Sequence, residues 1–163
     1  MIKYKPIIKK SKIADDVVFG KNVTVIEPVN LYGCVIGDNC FIGPFTEIQR
    51  GAWIGDNCRI QSHSFICEGV YIATGCFISH GVKFINDNFK LKHGPSHDPK
   101  LWKETFIGCN VSIGTNATIL PVKIVRDTVI GAGSVVAKDI EISGVYAGNP
   151  AKLIKKYEDR RTK

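Results

Sequence analysis

An aliphatic or aromatic residue occupies every sixth position from Ile36 through Ile42, Ile48, Ile54, Ile60, Ile66, Ile72 and Ile78 to Phe84, with mostly small or polar residues between. Neither common period accounts for this: an amphipathic helix repeats at three to four residues, a half-buried strand at two. A longer repeat is also written out, because the pentapeptide IGDNC stands at 36–40 and again at 54–58. Self-similarity at a fixed period predicts a solenoid, here all-β, with three six-residue steps to each coil. Residues one coil apart then stack at the strand spacing of about 4.8 Å. Three inward columns follow, namely Ile36, Ile54 and Ile72; Ile42, Ile60 and Ile78; and Ile48, Ile66 and Phe84.

The hexad reads aliphatic, small or polar, two variable, small, variable, and it resembles the hexapeptide repeat of left-handed parallel β-helices. Gly37, Gly43 and Gly55 are expected to give the corners backbone freedom. Upstream the ladder slips, since Phe19, Val25 and Leu31 are six apart but Ile36 follows after five. Downstream it stops at Phe84 and resumes at Ile107, Ile113 and Ile119, with a short step to Ile124 before Ile130. Residues 86–105 are therefore expected as an expelled loop, and long loops in compact domains are usually functional or disordered. Asn149 as a cap and Pro150 in a first turn predict a short C-terminal helix over 149–161 that closes the coil. The expected organisation is one domain over 1–163, with coils over about 18–148 and the helix after them.

Composition excludes several classes. At 163 residues, 44% hydrophobic and 23% charged, the chain is ordinary for a globular domain, and no apolar run approaches a membrane span. With no apolar segment of signal-peptide length near the N-terminus, a cytoplasmic location is expected. The net charge of +7 is concentrated in the tails: residues 1–12 carry five lysines, and residues 152–163 six basic against two acidic side chains. Such tails solubilise or draw in anions such as phosphates; no aromatic platform or motif accompanies them, so nucleic acid is not an expected partner.

The six cysteines form no CxxC, and Cys40, Cys58 and Cys76 follow the repeat at its fifth place, shared with Thr46, Ala52, Ser64, Val70 and Val82. They read as small structural hydrophobes in a reducing compartment, with Cys109 the one to test for reactivity. His93 and His97 are four apart, but Gly94 and Pro95 between them argue against a helix, and no third ligand is placed by spacing. No metal is expected.

The segments IQSHSFICEGV at 60–70, SHGVKFINDNF at 79–89, IGTNATIL at 113–120, IGAGSVVAKDI at 130–140 and AGNPAK at 147–152 resemble the hexapeptide acyltransferases that N-acetylate nucleotide-linked amino sugars, in particular dTDP-linked 3-amino-3,6-dideoxyhexoses. The resemblance implies a homotrimer, acetyl-CoA as co-substrate lying along the groove between neighbouring coils, a loop that helps to form the site, and a product used in a surface polysaccharide such as an O-antigen or S-layer glycan. Acceptance of a UDP-linked amino sugar, O-acetylation of a sugar hydroxyl, zinc carbonic anhydrase chemistry and a non-catalytic assembly subunit are the alternatives. His80, third in its hexad and just before the loop, is a candidate base or amine-orienting group, against the reading of a loop anchor. Glu68 and Asn86, one coil apart with Arg50 below, form a candidate sugar or ammonium site, with Asp87 at the loop entrance; a solvated surface is the alternative. Lys152 and Lys155 are candidate CoA phosphate partners, or a plain helix face. Trp102 in the loop reads as a packing residue or a base stacker. A backbone N–H is the expected oxyanion donor.

Overall fold

The structure, a computed structural model, describes residues 12–87 and 98–157. Three parallel sheets form the sides of a triangular coil. Face one stacks Val18–Phe19, Val35–Ile36, Trp53–Ile54, Val70–Ile72, Thr105–Ile107 and Lys123–Ile124. Face two stacks Thr24–Val25, Phe41–Ile42, Arg59–Ile60, Phe77–Ile78, Ser112–Ile113 and Val129–Ile130, and ends in Gly144–Ala147 and Lys152–Lys156. Face three stacks Asn30–Leu31, Glu47–Ile48, Phe65–Ile66, Lys83–Phe84, Thr118–Ile119 and Val135–Val136. The predicted columns are the observed ones, with Ile36 over Ile54 over Ile72 and Ile42 over Ile60 over Ile78 in register. Their side chains fill one continuous core from Val29 to Ile140.

The repeated IGDNC is explained atom by atom. Ile36 and Ile54 are core residues. Gly37 is needed for close approach rather than backbone freedom: a Cβ there would lie 2.3 Å from Asp56 Oδ1, whereas its φ is ordinary. Gly43 and Gly55 are likewise crowded by the next coil, at 2.7 Å from Ser62 N and 2.9 Å from the Ala73 carbonyl carbon. The Asp38 N–H donates to Asp56 Oδ1 at 2.8 Å. Asn39 and Asn57 take the left-handed backbone that the fourth place of the hexad demands, at φ 55° and 58°. Asn tolerates that region better than most side chains. Cys40, Cys58 and Cys76 donate S–H to the carbonyls of Gly55, Ala73 and Gly108, each at 3.1 Å. Thr46 and Ser64 direct their hydroxyls at the equivalent carbonyls of Gln61 and Ser79, so the fifth place takes a small buried side chain that donates or is apolar.

The step from face one to face two, and from face two to face three, is six residues in every coil from Phe19 onward. All irregularity lies at the corner from face three to face one. Leu31 to Ile36 and Ile119 to Ile124 take five residues there, and Phe84 to Ile107 encloses the predicted loop. The loop mouth is pinned by Lys103 N–H donating to the Asn86 carbonyl at 2.9 Å. Among the described residues the only helical element is the short 3₁₀ turn Pro99–Leu101.

The predicted C-terminal helix is not formed over its described part. Residues 148–151 turn, and Lys152–Lys156 pairs antiparallel with Gly144–Ala147. The last coil leaves an open edge on face two, and a returning strand satisfies its backbone groups where a helix would not.

Candidate functional site

His80 lies two residues beyond the Phe77–Ile78 strand, exposed at the corner between faces two and three. The turn is fixed by backbone bonds one coil apart: Gly81 N–H donates to the Ser62 carbonyl and Asn116 N–H to that of His80, both at 2.9 Å. The same register stacks Pro44, Ser62, His80 and Thr115 in one column. His80 Nδ1 is 2.8 Å from Ser62 Oγ. When the ring proton is on Nδ1, that N–H donates to the serine oxygen and Nε2 carries the lone pair of a general base. Ser62 is eighteen residues before His80, one full coil, which is why the two side chains meet.

Glu68, Asn86 and Asp87 are at the other end of face three, at the irregular corner, all half-buried. Glu68 and Asn86 stack as the repeat predicts, with Asn86 Nδ2 donating to the Glu68 carbonyl at 3.1 Å. Arg50 does not join them: its guanidinium turns to Asp16, 3.0 Å away. A polar seam runs along this corner, in which the Tyr32 hydroxyl and Gln49 Nε2 both donate to Glu47 Oε1, at 3.1 and 3.0 Å. Burial, reinforced by Glu47, holds the Tyr32 phenol above its ordinary range. The strand separating the two corners leaves His80 and Asn86 six residues apart along the chain, a span of at most about 20 Å. His80 and Asn86 thus lie beyond opposite ends of the Lys83–Phe84 strand, at different corners of one protomer.

Lys152 and Lys155 are brought together, by a strand irregularity rather than by a helix face. Lys152 sits opposite Ala147 and Lys155 opposite Val145, with Leu153 opposite Tyr146, so Ile154 is the extra residue of a bulge. Partners two residues apart on one strand share a face, so both lysines lie on the outer side of face two with Val145. From Phe77, three residues before His80, that side climbs through Ser112, Val129 and Val145 to Lys155. Four strand spacings make about 19 Å.

A shallow depression of about 450 Å³ lies on the outer side of face one, lined by Trp53, Tyr71, Phe106, Lys123 and Ile140 among others. It is across the triangle from His80 and carries stacked rings, Tyr71 on Phe106 at 5.0 Å, with Lys123 and Glu141 also in its lining. Trp102 is half-buried near the loop mouth. His93 and His97 lie outside the described residues, among which no group of three or more His, Cys, Asp or Glu is arranged to hold a metal ion. No described helix is long and apolar enough to cross a membrane. Cys34, Cys40, Cys58, Cys67 and Cys76 are buried free thiols, and Cys109 is half-buried.

Residues 33–68 match the family of bacterial transferase hexapeptides (six repeats), and residues 105–138 match the hexapeptide repeat of succinyl-transferase. A stretch of 54 residues is 48% identical to a chloramphenicol acetyltransferase of Escherichia coli, covering 32% of this chain and 26% of that protein. The chain thus spans about a quarter to a third of the curated relatives it matches. Among solved structures it is similar to a variant of AntD, an N-acyltransferase from Bacillus cereus in complex with dTDP and coenzyme A (TM-score 0.70, 22% identity, 86% of this chain and 84% of that one). It is similar also to a hexapeptide-repeat acetyltransferase of Vibrio cholerae complexed with acetyl-CoA (TM-score 0.69, 22% identity, 78% and 73%). The protein is a parallel β-solenoid of the fold seen in those structures, and two of its segments, residues 33–68 and 105–138, match hexapeptide-repeat families.

Proposed function

We propose that the protein transfers an acetyl group from acetyl-CoA to the 3-amino group of a dTDP-linked 3-amino-3,6-dideoxyhexose, in the cytoplasm, for a surface polysaccharide. The observation that carries this reading is the outer side of face two. At one end is a histidine oriented by Ser62, and at the other are two lysines on one face. Coenzyme A laid along this side sets its phosphates against Lys152 and Lys155 and its thioester beside His80. Support for a nucleotide-bearing acceptor comes from the fold, on which AntD holds dTDP and coenzyme A.

In the reaction the amine nitrogen bonds to the thioester carbon, and the carbonyl oxygen takes up negative charge, met by a backbone N–H. His80 Nε2 accepts the proton that the nitrogen sheds. Collapse of the intermediate breaks the carbon–sulfur bond, and the departing thiolate takes a proton to become the CoA thiol. Holding the amine against the thioester supplies much of the acceleration, so His80 need only orient the amine and remove one proton.

The protein works as a homotrimer in this proposal. Val18, Val35, Trp53 and Phe106 expose an apolar outer side on face one that a neighbouring protomer would cover. A cyclic assembly also offers His80 a second wall, the corner of Glu68, Asn86 and Asp87 from the next protomer. Release of thiol from acetyl-CoA, measured against a panel of dTDP- and UDP-linked amino sugars, tests the reading. Turnover on a 3-amino sugar is expected, and failure on every amine overturns it.

A further inference from the structure

The fourth place of the hexad has a left-handed backbone at the corners joining face one to two and two to three, and the residues there are mostly Asn or Gly: Asn22, Asn39, Asn57, Gly75, Asn110, Gly81, Asn116 and Gly133. Two of the exceptions are bulky rings. Phe45 at φ 60° and His63 at φ 62° follow one another at the two-to-three corner, the corner of His80. A bulky side chain such as that of Phe45 at positive φ is a backbone outlier of the kind that collects at functional sites, whereas His visits this region more readily. No core packing offsets the cost, because Phe45 is 58% exposed and His63 is also exposed. The rings stack on each other, with centroids 4.8 Å apart and planes 27° apart. The next place up the ladder is Gly81, where the Asn116 side chain takes the space a Cβ would fill, its Oδ1 2.2 Å away, so the rings are open to solvent on their outer side, at the corner of His80. Lys83 bonds its ammonium to the His63 carbonyl and puts a positive charge at the platform's edge.

We infer that Phe45 and His63 form a stacking platform for the nucleobase of the acceptor, with Lys83 as a partner for its diphosphate. The inference rests on the nucleotide-linked acceptor proposed above and adds where that nucleotide lies. Phe45 is two coils below Gly81, about 10 Å, on the side of His80 away from Lys152 and Lys155. The two substrates thus reach His80 from opposite ends of the coil, the thioester from the C-terminal coils and the sugar nucleotide from the N-terminal ones. Aromatic faces stack any base, so the adenine of coenzyme A is the rival occupant.

The test uses substitutions that suit the backbone and remove the ring. Asn is the residue the fourth place prefers, so Phe45→Asn and His63→Asn should leave Tm unchanged or raise it. The same variants should weaken binding of dTDP and UDP, measured by calorimetry on the full chain, by about tenfold each, with CoA binding unaltered. Lys83→Met should weaken both diphosphates a few-fold. Variants that bind dTDP and UDP as wild type does overturn the platform, as does a loss of affinity accompanied by a fall in Tm or a changed oligomeric state. A loss confined to CoA assigns the rings to adenine and overturns it too. If wild type binds CoA but neither diphosphate, the nucleotide-linked acceptor itself is wrong, which is a separate result from insensitive variants.

Discussion

Replacing Gly37 by Ala tests whether the glycines after the inward isoleucines serve close approach or conformational freedom. A Cβ at Gly37 would lie 2.3 Å from Asp56 Oδ1, 2.8 Å from Asp56 N and 2.9 Å from the Gly55 carbonyl carbon. The carboxylate can swing away, giving up the bond from Asp38 N–H, which at an exposed site is worth about 1 kcal/mol. The backbone atoms can withdraw only by parting two coils, and overpacking of this kind costs about 1–3 kcal/mol. The total is about 2–4 kcal/mol. Gly133 is the opposite case, with φ at +66° and nothing within 4 Å of an added Cβ. Ala there meets only the left-handed backbone, at about 1–2 kcal/mol.

Thermal unfolding followed by circular dichroism, at one fixed protein concentration, should rank the two. For a chain of this size about 1 kcal/mol corresponds to 2–4 °C, so Gly37→Ala should lower Tm by roughly twice as much as Gly133→Ala. On an Asp56→Ala background the penalty at Gly37 should shrink by the carboxylate's share, about 1 kcal/mol. Because coils of a solenoid can unfold in steps, the ordering is the quantity to read. If Gly37→Ala unfolds near wild type, or Gly133→Ala is the more damaging, close approach is not the reason for the glycine.

Three further outcomes are expected. At pH 8 a thiol reagent should modify Cys109 and spare the five buried cysteines until denaturant is added, as read by mass spectrometry. Burial pushes the Cys34 thiol up to about 11 and Cys67 to about 12 from an ordinary 9; a raised folded-state value means stability intact below about pH 9 and lost as pH rises through 11 to 12, so Tm should fall over that window, and a flat Tm would refute it. Ser62→Ala should lower kcat about tenfold with KM for acetyl-CoA unchanged and Ser62→Thr should restore it, whereas a purely structural Ser62 would move Tm and leave the pH profile of kcat in place.

The columns were legible because a parallel coil copies one environment at a fixed offset, and each isoleucine had the same duty as the one eighteen residues away. The fifth place was legible as small; that it donates to a carbonyl of the next coil emerges only when Cys40, Thr46 and Ser64 are seen to make the same bond. The C-terminal element misled because Asn149 and Pro150 carry a helix-start signal, while the open edge of face two, which favours a strand, is a property of the whole coil. Lys152 and Lys155 share a side although no helix forms, because a bulge gives a strand the adjacency that three-residue spacing has on a helix. Glu68 and Asn86 stack as the repeat requires, but their separation from His80 depends on which corner each hexad turns. Phe45 and His63 carried no signal of their own, since an aromatic in a variable place looks ordinary until its φ is known.

The division of labour between corners follows from what each must tolerate. A change of length at one corner is invisible to the sheets provided its ends still meet, and here every such change is at the corner from face three to face one, including the loop closed by Asn86 and Lys103. His80 is elsewhere, in a column whose six-residue step never varies and whose turns are fastened by the same backbone bond from coil to coil. A base or orienting group must be held to a fraction of an ångström by neighbours that cannot themselves shift. In the proposed reading the strict corner meets that demand through Ser62, whose Oγ is 2.8 Å from His80 Nδ1. On that reading the strict corner carries His80 together with the Phe45 and His63 platform, while length changes are left to the corner of Glu68 and Asn86.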